Sequence, residues 1–221
     1  RIQLNRVLVV GGPSGSGKSS LVRAGLIPAL TAGALPGSDT WRVVLFTPGR
    51  DPLAELYFQV NRHAPSGTSQ VSFEEVMAHP AMARHLNGVN GSEPPLLLCI
   101  EQAEEMFTLA SATQRSKFIS ALSAMTDPAD STMRVIIAVR ADFYAASAQI
   151  PWLAERITRN QVLVGPMTNP ELRRAISEPV RPLGLHLERG LIDAIINEAG
   201  NETGSLPLVA HALVETWLRR E

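Results

Sequence analysis

The chain has 221 residues, 45% apolar and 19% charged, enough for one α/β domain with a buried core or a domain plus a small appendage. Its net charge of −1 gives no electrostatic case for nucleic acid or membrane as a partner, and no apolar run approaches the ~20 residues that span a bilayer. A single cysteine, Cys99, excludes an intrachain disulfide and points to a cytoplasmic setting.

In chain order, the apolar run 7–10 predicts a buried parallel strand. Directly after it, Gly12, Pro13, Ser14, Gly15, Ser16, Gly17, Lys18 and Ser19 fit G-x-x-x-x-G-K-[S/T], a loop whose backbone N–H groups cradle nucleotide phosphates. The glycines permit φ > 0 and a close approach of backbone to ligand. Lys18 is expected on the β and γ phosphates and the Ser19 hydroxyl on Mg²⁺, with Ser20 beside them in the nucleotide-binding set. Of the 20 Lys and Arg, only Lys18 and Lys117 are lysines, so a Lys here reads as a chemical requirement. A helix is predicted over 19–30, its positive end aimed at the phosphates. The competing reading, a plain Gly/Ser turn, fits the strand–loop–helix context poorly.

A second strand is predicted over 43–47 and a helix over 52–60. Residues 62–95 read as a surface excursion that carries a helix over 73–86. The third strand, 96–100, ends in Glu101, followed by Gln102, Ala103, Glu104 and Glu105. P-loop enzymes need an acid after a second strand to hold the metal's water shell, which makes Glu101 the Mg²⁺-side candidate. Glu104 or Glu105 is the candidate general base for an attacking water. Capping of the following helix is the alternative for both.

Phe118, Leu122 and Met125 are spaced for one face of a helix over 113–125, and 127–130 is a turn. The fourth strand, 135–139, ends in Arg140. Ligands of open parallel sheets lie beyond the strands' C-terminal ends, so Arg140 is a candidate γ-phosphate sensor. A structural pair with Asp142 is the alternative.

The fifth strand is 161–164, and no further strand run follows. Helices are expected from Asn169 or Pro170 to 177, over 188–199 with Gly200 closing it, and around Leu206, Val209, Leu213 and Trp217. A boundary near 165 therefore separates an α/β domain, 1–165, from a small helical domain, 166–221. His63, His79, His85, His186 and His211 show no metal-ligand spacing. The first strand starts close to Arg1 and the sequence ends in helical character, which predicts a module of a longer protein.

Four segments extend beyond the generic loop: residues 12–30, the Glu101–Phe107 box, Arg140-Ala141-Asp142-Phe143, and Gly204-Ser205-Leu206-Pro207-Leu208. On these the chain resembles the STAND class of signalling P-loop NTPases, relatives of the AAA+ and NACHT groups. It is most similar to the novel STAND modules of bacterial proteins that carry WD or tetratricopeptide repeats. The resemblance implies a three-layer P-loop sandwich with a five-stranded, mainly parallel sheet of order 5-1-4-3-2. It implies ATP/ADP and Mg²⁺ as cofactors, and Pro207 near the base. It implies a switch: ATP binding favours an open state that self-associates, while hydrolysis or ADP retention restores the closed one. Repeat and effector domains are expected in the full-length chain. Glu101 stands where the family has Asp, which implies slow or lost hydrolysis. Two other classes compete. One is a nucleotide-binding scaffold without hydrolysis. The other is a phosphotransferase of guanylate-kinase type, whose loop is similar but whose acceptor segment and Arg-rich lid find no counterpart here.

Overall fold

The structure, a computed structural model, describes residues 2, 5–63, 71–87, 94–184, 187–188, 190–199, 204 and 206–219. Arg1, His186, Gly200 and Ser205, named above, lie outside them, as do the last two residues.

Five strands form one sheet: β1 (Val7–Gly12), β2 (Arg42–Phe46), β3 (Leu96–Ile100), β4 (Arg134–Arg140) and β5 (Gln161–Leu163). Their order is β2-β3-β4-β1-β5, the expected order read from the other edge. β1 runs parallel to β5, β2 to β3 and β3 to β4, with Val9 opposite Gln161 and Leu97 opposite Arg134. Every residue of β1 and β3 is buried. That explains why these runs are continuously apolar rather than alternating: helices cover both faces of such a sheet.

Three helices start where a side chain satisfies a free N–H group. Asp51 accepts from the Ala54 N–H ahead of Pro52–Arg62. Ser72 with Glu75, and Ser111 with Gln114, form reciprocal capping boxes. The Ala112–Thr126 helix buries Phe118, Leu122 and Met125 as its spacing predicts. Burial of each such side chain contributes about 1.5–3 kcal/mol.

Two predicted helices are divided, each at a proline. The helix expected over 73–86 ends as Phe73–Ala78 and resumes as tighter 3₁₀ turns over Pro80–Asn87. Pro80 has no N–H and forces His79 out of the helical region, to φ −130, ψ 84. The helix after the P-loop runs from Lys18 to Thr31 but widens over Leu21–Leu26, where the Ile27 N–H reaches back five residues to the Val22 carbonyl. Pro28 lies just beyond. Its ring would strike the carbonyl four residues back in a regular α-helix, and a wide turn relieves that clash. Pro151–Arg159, an amphipathic helix with Pro at its start, was not anticipated from the sequence.

Contacts between Cα atoms divide the chain into two compact units. The first comprises Arg1–Gly11 and Ser19–Leu163; the second comprises Gly12–Lys18 and Val164–Glu221. The first holds the sheet and the large core, including Leu53, Leu56, Phe118, Leu122 and Ile137. The second has its own small core of Leu172, Ile176, Ile196 and Val209. Its first long helix, Asn169–Ser177, is capped by Thr168 paired with Glu171, a box the sequence reading passed over.

Candidate nucleotide site

The loop after β1 is shaped by glycines. Gly15 and Gly17 have φ of +70 and +88, a left-handed conformation that a side chain disfavours. Space adds a second constraint. A Cβ on Gly12 would lie 2.3 Å from the Val164 carbonyl oxygen, and one on Gly15 would lie 2.7 Å from the Gly204 Cα. A Cβ on Gly17 would meet the Leu206 side chain at 3.3 Å. Gly204 and Leu206 therefore face the loop glycines within the helical unit, which accounts for these residues grouping with that unit. Pro207 is exposed, at the second position of the Leu206–Leu218 helix. No sequence pattern signalled the Gly15–Gly204 approach.

The Lys18 ammonium donates to the carbonyls of Gly12 and Pro13, at 2.9 and 2.7 Å. It is thereby held over the loop it belongs to. Ser16 is buried, and its hydroxyl has no hydrogen-bond partner among the described residues. Ser14 and Ser20 are exposed, and Ser19, half-buried, lies in the first turn of the following helix. Left-handed glycines, a retained cation and an orphaned hydroxyl are the features that a phosphate chain would satisfy.

In the sheet unit, Glu101 directly follows β3 and is 1% exposed. Its Oε2 accepts from Arg23 Nε and Nη2, at 2.7 and 2.5 Å. Its Oε1 is buried without a partner among the described residues. Arg23, on the helix after the P-loop, is the functional neighbour that sequence reasoning missed, because 78 residues separate the pair. The bond raises the Arg23 guanidinium above its ordinary pKa. Burial, and next the Glu101 charge, push the Cys99 thiol up to about 12, and Cys99 is a fully buried core residue.

Gln102 has φ +46, in the left-handed region, where a non-glycine residue is strained by about 1–3 kcal/mol. Strain of this kind clusters at functional turns, and here it sits between Glu101 and the two further acids. Neither acid serves as a simple cap. Glu104 Oε2 accepts the Arg140 backbone N–H at 3.2 Å, and Glu105 Oε2 accepts the Gly49 N–H at 3.0 Å. The box after β3 is thus tied to the end of β4 and to the loop after β2. The Arg140 guanidinium is paired with Asp142.

Gly11, the residue before the loop, has a reason of its own. A Cβ there would lie 1.6 Å from the Tyr144 hydroxyl. That hydroxyl is buried with no partner among the described residues, and burial raises its pKa. Among the described residues no group of three or more His, Cys, Asp or Glu could hold a metal ion. A divalent ion would need phosphate oxygens and water besides Ser19 and Glu101, the usual manner of Mg²⁺. The unpartnered Glu101 Oε1 fits that use; the Arg23 contact on Oε2 opposes it. No helix among the described residues is long and apolar enough to cross a membrane.

Comparison with solved structures gives the same fold at low identity. The chain is similar to the Aeropyrum pernix ORC2 protein in its ADP form, at 13% identity and a TM-score of 0.64, covering 98% of this chain and 60% of that one. The Aeropyrum pernix ORC1 protein in complex with DNA gives 14% and 0.63, covering 97% and 55%. AMPPCP-bound DnaA from Aquifex aeolicus gives 14% and 0.61, again covering 97% and 55%. The chain thus spans little more than half the length of these three proteins. No curated protein sequence matches it. The sequence profile of the family described as Novel STAND NTPase 1 matches residues 1–221, and on that match, over the phosphate loop and the fold just described, the chain belongs to the novel STAND NTPases.

Proposed function

We propose that this NTPase module binds ATP and ADP with Mg²⁺ and hydrolyses ATP slowly, as a molecular switch in a cytoplasmic, multidomain signalling protein. The observation that carries the proposal is the Gly12–Ser19 loop. Two of its glycines are left-handed, Lys18 is held over it, and the Ser16 hydroxyl inside it lacks a partner. The ADP and AMPPCP of the structural neighbours support the choice of adenine nucleotides. The DNA of the ORC1 neighbour is left out of this reading, because a net charge of −1 gives no electrostatic case for nucleic acid.

In this reading residues 1–165 are the NTPase domain and 166–221 a helical domain. Lys18 exchanges its two loop carbonyls for phosphate oxygens and neutralises charge that develops on them. Gly12, Pro13, Ser14, Gly15, Ser16 and Gly17 supply the cradle, with Ser19 and Ser20 at the helix start, and Pro207 approaches the base. Ser19 and Glu101 are the residues that would hold Mg²⁺, which would supply charge neutralisation at the phosphates when bound. Glu104 or Glu105 orients and deprotonates the attacking water, and Arg140, released from Asp142, senses the γ-phosphate. Self-association of the module follows the ATP state.

One observation favours a second reading, a nucleotide-binding scaffold without hydrolysis. Arg23 occupies Glu101, and both candidate bases already accept backbone N–H groups.

Calorimetry with ATP, ADP and GTP, with and without Mg²⁺, tests the proposal together with phosphate release. ATP and ADP are expected to bind, and Lys18→Ala to nearly abolish binding. Unchanged affinity in that variant would sink the site. Tight binding with no phosphate release selects the scaffold.

A further inference from the structure

At the opposite ends of the strands from Glu101 and Arg140 there is a cavity of about 490 Å³. Arg6, just before β1, and Arg134, the first residue of β4, line it. Arg134 and Arg140 are six residues apart along β4, so the cavity lies about 20 Å from the Arg140 end. Arg156 and Arg159 come from the Pro151–Arg159 helix, and the acids Asp127 and Glu155 complete the charged lining.

These six charges are unevenly matched. Arg156 binds both Asp127 and Glu155, and Arg159 binds Glu155 at 2.9 Å, so both carboxylates are engaged. Arg6 and Arg134 form no ion pair among the described residues. Among the described residues, Arg6 donates only to neutral carbonyls, those of Thr126, Pro128 and Ala129. Arg134 donates to the Thr132 carbonyl and lies 4.7 Å over the Trp41 ring. Its Nε is buried with no partner among the described residues. Burial, and next the Arg6 charge, lower the Arg134 pKa, as expected for two cations with no anion between them.

Two neighbouring guanidinium groups without a carboxylate, one with an unspent N–H, are costly to build and have an obvious use. Guanidinium forks match phosphate oxygens in pairs, and an excess of two positive charges matches a dianion. The cavity is several times larger than a phosphate ion, within the range of small-molecule sites. We propose that this cavity binds the phosphate group of a small phosphomonoester between Arg6 and Arg134, at a site separate from the P-loop. Occupation would bridge the starts of β1 and β4, which places the ligand where it can bias the sheet unit without touching the nucleotide loop.

The test uses inorganic phosphate and glycerol 3-phosphate on the Lys18→Ala protein, so that the P-loop does not compete. The readout is the arginine Nε–Hε signals in ¹⁵N-correlated spectra, assigned with Arg6→Gln and Arg134→Gln. Saturable shifts of the Arg6 and Arg134 signals are expected, with glycerol 3-phosphate at least as tight as phosphate. Arg134→Gln should weaken binding at least about tenfold, the equivalent of one lost charge-assisted contact. Should either variant fail to fold, the saturation seen in the protein with both arginines intact still decides. Signals that do not move or do not saturate, or unchanged affinity in folded Arg134→Gln, overturn the site. Tighter binding of inorganic phosphate than of the ester overturns the ligand class.

Discussion

The Arg23–Glu101 pair offers the sharpest prediction, because one partner is buried and the other is not. Glu101 is 1% exposed, while the Arg23 side chain is 58% exposed. Truncating Arg23 removes two charge-assisted hydrogen bonds from a carboxylate that water reaches poorly. Bonds to charged groups contribute about 1.5–3 kcal/mol each. The exposure of Arg23 means that its own share is screened and that water enters the space it leaves, which reduces the total to about 2 kcal/mol. For a chain of 221 residues that loss lowers Tm by roughly 4–8 °C. Glu101→Gln removes the buried charge as well as the pairing. The double variant Arg23→Ala/Glu101→Gln should therefore be more stable than the sum of the two single losses implies, by about 1–2 kcal/mol. Urea unfolding of the nucleotide-free protein and its three variants measures this coupling. Additivity within about 0.5 kcal/mol would refute the pairing, and with it the view that Arg23 restrains Glu101 from a metal.

Three further outcomes are expected. Gly11→Ala should cost about 1–3 kcal/mol through collision with the Tyr144 hydroxyl, and Tyr144→Phe in that background should recover part of it; an unchanged Tm would contradict the close approach. Glu104→Gln should preserve nucleotide affinity and suppress phosphate release, since the amide carbonyl still accepts the Arg140 N–H while the base is gone; if Glu105→Gln suppresses release instead, the base is Glu105. Arg140→Ala should weaken discrimination between ATP and ADP in competition binding, whereas an unchanged affinity ratio assigns the residue to its pair with Asp142 alone.

The sequence by itself determined what is local. Eight consecutive residues carry the phosphate loop, so its identity needed no long-range contact. β1, β3 and the middle of β4 were readable because both faces of the sheet are buried there, which makes those runs continuously apolar. The order of those strands came from a resemblance, not from their composition. Local rules also failed locally: Pro28 and Pro80 interrupt helices whose apolar spacing continues past them.

Only the tertiary structure decided which groups face each other. Arg23 finds Glu101 across 78 residues of sequence, and the Glu104 carboxylate reaches the Arg140 N–H across 36. Tyr144 fills the space that makes Gly11 obligatory, and Gly204 fills the space beside Gly15. Arg6 and Arg134 look like unrelated surface arginines until strand packing brings them into one cavity. The physical reason is common to all of them. A charge's partner, and the room around a glycine, are properties of distance in space, and the chain fixes those distances only once the sheet is assembled.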